Sequence, residues 1–217
     1  MAGELGLAAG GSSAIKVFLL LTALSFGSAI VLSVTCFTRL IIVFSFLRQA
    51  LGTPQLPPNQ ILLGLSLFLT LFIMAPVATQ VREQALTPLL DDKIEMGEAL
   101  ARAEKPVSGW MLRQTREDDL RLFFEVSGAA APLRGDAIPF TVLAPAFMVS
   151  ELTTAFRMGL YLFVPMLLID LLVASILMSL GMMMVPPTLI ALPLKIGVFL
   201  LAGGFNLVAS SLVRSFS

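Results

Sequence analysis

Histidine is absent from this 217-residue chain, cysteine occurs once, and charged residues make up only 13% of it. Each shortage excludes something. Without histidine the chain lacks the commonest general base and the commonest metal ligand. The lone Cys36 lies inside an apolar run, so no internal disulfide can form. There is no glycine-rich phosphate loop, no set of metal-ligating side chains and no nucleophile beside a base. Nothing in the sequence therefore points to an enzyme, a cofactor or a metal. The 14 acidic and 14 basic residues cancel, which gives no general attraction for nucleic acid.

What fills the chain instead is apolar. Hydrophobic residues make up 57% of it and the mean hydropathy is +0.94. That is too apolar for a soluble domain of this size and places the chain among membrane proteins. Its charges are gathered in one place. Residues 82–136 hold 8 basic and 11 acidic side chains, a local net of −3, and the other 162 residues hold only 9 charges. The chain reads as an apolar body with one polar insert.

Residues 1–16, rich in Ala, Gly and Ser, read as a flexible lead-in. Val17–Phe37 is an uncharged run of 21 residues, long enough to cross ~30 Å of hydrocarbon. Gly27-Ser28-Ala29 faintly resembles a signal cleavage site. The run continues past it and no basic stretch precedes it, so a retained span is expected. Leu40, Val43, Phe44 and Leu47 then fall on one helical face, Gly52-Thr53-Pro54 stops that helix, and Pro57-Pro58-Asn59 starts the next. Arg39 and Arg48, with no acid nearby, place this loop on the cytoplasmic side and are expected at lipid headgroups. Ile61–Val81, interrupted late by Pro76, returns the chain to the outside and completes a first apolar hairpin, 17–81.

In the insert, Asp91–Lys105 reads as a short helix that Pro106 ends or restarts, and Trp110, Met111 and Leu112 form an apolar patch. Thr115-Arg116-Glu117-Asp118 resembles a capping box, and Leu120, Phe123 and Phe124 give a helical face closed by Gly128. The acids of mixed-sign runs are expected on solvated helix faces. The second apolar hairpin, 137–217, opens with Ile138–Met148. Ser150 is then placed as the cap of a helix carrying Glu151 and Arg157. Gly159–Leu180 and Thr188–Val213 follow as the third and fourth spans. The expected fold is all-α, with membrane-type helical hairpins and a small helical insert on the side of the termini.

Between the last two spans stand Met182, Met183 and Met184. Gly181 precedes them, and Pro186 and Pro187 follow. Proline lacks the donor a helix needs, so the chain turns here with three thioethers at the turn. Methionine is flexible and apolar, suited to a deformable seal and equally to core filling. Asp170 and Lys195 lie in the two flanking spans, each ~17–18 Å from the turn at 1.5 Å per residue. A charge at mid-span needs a partner or a wet cavity. The two can pair within one hairpin or between neighbouring subunits, and a proton relay is the functional alternative to a structural pair.

Gly181 to Lys195 closely resembles the C-terminal signature of the FliP/SctR family of type III secretion export-gate proteins. So do Thr38–Phe44, Leu51–Pro54 with Pro57–Gln60, Met111–Glu117, and Pro145–Phe147 through Arg157–Gly159. The Val185-Pro186-Pro187 ending resembles the flagellar branch rather than the injectisome one. Family members usually begin with a cleavable signal peptide, which residues 1–16 do not resemble. The resemblance implies about five copies in a helical ring with a FliR-type subunit. It also implies FliQ-type subunits outside and FlhA- and FlhB-type export components as partners. Such a gate passes unfolded flagellar proteins and sits in the inner membrane, much of it held above the membrane plane on the periplasmic side. The resemblance makes the methionine turn a gasket, with Asp170–Lys195 an ion pair between subunits. Rival readings are a small ion or proton channel subunit, and a scaffold supporting another pore.

Overall fold

The computed structural model describes residues 18, 22, 32–53, 56–128, 138–182 and 184–216. The lead-in, 13 of the 21 residues of the expected first span with Gly27–Ala29 among them, Pro54 and Gln55, the end of the insert, Met183 and Ser217 lie outside the described residues. Among the described residues all regular structure is helical.

Helix α1, Phe37–Ala50, is short and packs its apolar stripe inward. Leu40, Val43, Phe44 and Leu47 are each no more than 2% exposed. Gly52, at φ +75°, turns the chain out of it. Helix α2, Asn59–Val81, follows Pro58. It does not end where the polar insert begins. It passes Pro76, runs through a π-helical turn at Arg82–Leu86 and finishes at Thr87–Leu90, 32 residues in all. Helix α3, Met96–Gln114, likewise runs through Pro106 rather than breaking there, and begins later than the sequence suggests. Helix α4, Glu117–Ser127, ends as expected at Gly128, φ +65°.

Helix α5, Phe140–Ser179, has 40 residues and is unbroken through Pro145 and Pro165. The expected separate segment at Ile138–Met148 is thus part of the third span. Each proline deletes one backbone bond. In apolar surroundings the remaining N–H groups still need carbonyls, so the helix resumes beyond the ring. The expected fourth span is instead two helices, α6, Thr188–Leu201, and α7, Gly204–Arg214, bent by 61°. Gly203, φ +64°, makes the bend. The ring of Phe199 lies over Gly204, where any Cβ would collide with it.

Helix α1 lies along α5, and this pair is the centre of the molecule. The main core gathers Leu40 and Phe44 from α1, Trp110 and Met111 from the insert, Leu143 and Phe147 from α5, and Leu212 from α7. Gly159 allows the close approach, because a Cβ there would stand 2.5 Å from the Phe46 ring. A second, small core of Val173, Leu177 and Ala191 sits between α5 and α6. Much apolar surface stays open, including Phe68 at 74% and Leu172 at 63%. By length and composition two helices can cross a membrane, Asn59–Leu90 and Phe140–Ser179, or three if the bent α6–α7 pair counts as one.

Candidate gate turn and its two charged anchors

The methionine turn is built by backbone bonds at its entry. The Gly181 N–H donates to Met178 O at 3.1 Å and the Met182 N–H to Leu177 O at 3.0 Å. With Gly181 at φ +75° this is a Schellman ending, which glycine adopts without steric cost. The turn then tightens, Val185 N–H donating to Met182 O at 3.3 Å. Pro186 and Pro187 lead into α6, and the Pro187 carbonyl accepts from Ile190 and Ala191. Under the turn sits the small core of Val173, Leu177 and Ala191. Above it Met182 is 43% exposed and Met184 97% exposed. A firm base thus presents soft apolar side chains outward.

Below the turn Lys195 is buried on α6. Its Nζ donates to Asp170 Oδ2 at 2.5 Å and to the carbonyl of Ala50 at 3.1 Å. Ala50 is the last residue of α1, and the free carbonyls of a helix end carry partial negative charge. One ammonium therefore ties α1, α5 and α6 together. Asp170 is not enclosed, its side chain remaining 42% exposed. It faces a cavity of about 140 Å³ lined also by Gln49, Gly52 and Thr188. Within a single chain the two charges meet directly, and one side of Asp170 stays open.

A second anchor was not legible as a pair. Arg39 is 2% exposed, so it is no headgroup contact. It lies against Glu151, which is fully buried on α5, with Nε donating to Oε2 at 2.9 Å and Nη2 to Oε1. Both stand alone in apolar stretches, where a charge must find a partner. That signal marks each residue but does not say which meets which across 112 positions. Ser150, expected as a helix cap, is instead buried in mid-helix. Its Oγ accepts the Arg116 N–H at 2.9 Å and donates to Gln114 O at 3.4 Å, clasping the junction of α3 and α4. The expected capping box does not form, since Thr115 Oγ1 donates back to Met111 O at 2.8 Å.

In the insert Trp110, Met111 and Phe124 are buried, while Leu120 and Phe123 are half-buried. The acids there form exposed pairs such as Glu98–Arg102, 2.6 Å, and Asp91–Lys93, 2.9 Å.

The pattern of the FliP family matches residues 20–212. The flagellar biosynthetic protein FliP of Bacillus subtilis (strain 168) is 49% identical over 205 residues, covering 94% of this chain and 93% of its own length. The protein of that name from Pectobacterium carotovorum subsp. carotovorum is 52% identical over 202 residues, 93% of this chain and 78% of its own. That of Aquifex aeolicus (strain VF5) is 46% identical over 204 residues, 93% and 85% respectively.

Proposed function

The chain belongs to the FliP family, and we propose that, as a component of the flagellar export apparatus, it forms the wall of the export gate and the seal that closes it. Unfolded flagellar proteins pass through the gate, driven by other components, and the chain itself catalyses nothing. The observation that carries this reading is the turn at 180–187. Its apolar tip, with Met184 at 97% exposure, stands uncovered on a backbone fixed at both ends. Uncovered apolar tips are covered by something, and copies of the turn around an axis would cover one another.

The rest of the assembly follows the family. About five copies close a helical ring with a FliR-type subunit. FliQ-type subunits lie outside, and FlhA- and FlhB-type components engage it. The open leucines of α2, α5 and α6 are the surface such neighbours need. Residues 82–136 form the outward rim. The complex belongs to the inner membrane, with much of it on the periplasmic side. Asp170 and Lys195 pair within the chain, and the exposed side of Asp170 takes a donor from the next copy.

The test is replacement of Met182, Met183 and Met184 by alanine. The complex should assemble, measured by native electrophoresis of membranes, yet conduct small ions. A variant that assembles and stays as tight as wild type would show that these methionines are not the seal.

A further inference from the structure

The buried Arg39–Glu151 pair does more than cancel two charges. Glu151 takes Nε and Nη2 of the guanidinium. The remaining nitrogen, Nη1, donates to Ser215 Oγ at 2.9 Å and to the Ser215 carbonyl at 3.2 Å. The guanidinium carbon also stands 3.8 Å from the centroid of the Phe216 ring. The ring of Phe216 further stacks on Trp110, with centroids 6.2 Å apart and planes 22° apart. Gln114 Nε2 donates to the Phe216 carbonyl at 3.4 Å. Trp110 in turn meets Phe147 edge-on at 5.4 Å. Arg39 comes from α1, Glu151 and Phe147 from α5, and Trp110 and Gln114 from the polar insert. Residues 215 and 216, just past α7, are where these parts meet.

An ion pair alone requires none of this. A carboxylate satisfies one edge of a guanidinium, and the other edge here is aimed at Ser215. A guanidinium and an indole are the two side chains best suited to hold an aromatic ring. We propose that Arg39 and Trp110 form a socket for Phe216, and that Ser215–Phe216 is a latch registering the polar insert on the apolar body. Arg39 is the positioning residue, and Glu151 orients it. Helix α7 is joined through the Gly203 bend to α6 and the methionine turn. The seated Ser215–Phe216 segment therefore also fixes the far end of the arm that carries the turn. This goes beyond the gate reading and stands whether or not the methionines form a seal.

Trp110 is the single tryptophan of the chain and 4% exposed, so it reports on the socket directly. The 217-residue chain is prepared in mild detergent and its fluorescence measured with acrylamide as quencher. In Phe216→Ala and Phe216→Leu the emission should move to longer wavelength and quenching should rise about twofold or more, as the stacked ring is lost. Phe216→Tyr, which keeps a ring, should restore wild-type values. The double variant Arg39→Glu with Glu151→Arg keeps an ion pair but sets a carboxylate against the Ser215 carbonyl. Its Trp110 should be as accessible as in Phe216→Leu. The leucine variant keeps most of the buried volume and decides the matter if alanine unfolds the core. Wild-type quenching in Phe216→Leu or in the charge-swapped chain would overturn the latch, as would a tyrosine variant no better shielded than leucine.

Discussion

Removing Asp170 should damage the protein more than removing Lys195, although the two form one pair. Lys195 is enclosed, with its side chain 6% exposed, whereas that of Asp170 is 42% exposed. In Asp170→Ala the ammonium stays buried and keeps only the Ala50 carbonyl. Stripping one partner from a buried charge costs about 3–5 kcal/mol. In Lys195→Met the remaining carboxylate turns to water, so its share is small and screened. The loss there is the donor to Ala50 O, about 1–3 kcal/mol for an unpaired carbonyl at a buried helix end. A gap of about 2 kcal/mol is more than a tenfold difference in folded population. A charge swap should not rescue, because a carboxylate at position 195 would face the carbonyl end of α1. The double variant Asp170→Ala with Lys195→Met should recover about half of the single-aspartate loss, because the Ala50 carbonyl still lacks its donor. Steady-state level in membranes and assembled complex on native gels measure this, with secretion of flagellar protein as the functional readout. If Asp170→Ala proves milder than Lys195→Met, or the swap restores assembly, then Lys195 is not the enclosed hub of three helices.

Gly159→Ala should push the Phe46 ring away from a Cβ placed 2.5 Å from it. Overpacking of this kind costs about 1–3 kcal/mol, and should appear as a lower thermal midpoint of the detergent-solubilised chain. Neutralising the exposed acids Asp91 or Glu98 should shift stability by no more than about 0.5 kcal/mol. Secretion should stay at wild-type level, and its loss with normal assembly would reveal a working carboxylate in the insert.

What the sequence disclosed was what lies close along the chain. The α1 stripe, the stops at Gly52 and Gly128, and the turn at 181–187 depend on residues within a few positions of one another, and all appear in the structure. Asp170 and Lys195 are 25 positions apart, but they flank a turn, so a rise per residue sufficed to match their depths. Pro106 misled, because the local rule ends or restarts a helix at proline, whereas α3 runs on through it. Pro76, Pro145 and Pro165 also lie within helices. Arg39 and Glu151 were each visible as lone charges, but their pairing depends on α1 lying along α5, a tertiary fact. The role of Ser150 had the same cause. A hydroxyl that clasps a helix junction 34 positions away looks, in sequence, like a cap for its own helix.

Helix α5 shows why hydropathy and location are separate questions. Its 40 residues span ~60 Å, about twice a bilayer's hydrocarbon thickness. Its apolar windows mark it as membrane-capable. Yet Glu151, Arg157 and Asp170 divide it, and its longest charge-free stretch, 158–169, has 12 residues. That stretch covers ~18 Å, short of the ~30 Å a lipid core requires. Glu151 is neutralised by Arg39 and Asp170 by Lys195, but Arg157 is exposed. Arg157 adjoins that stretch, ~10 Å from its middle, so a bilayer centred there would hold this charge in hydrocarbon. Protein neighbours or a wet cavity can accept such charges where lipid cannot. The ring proposed above would supply such neighbours along α5.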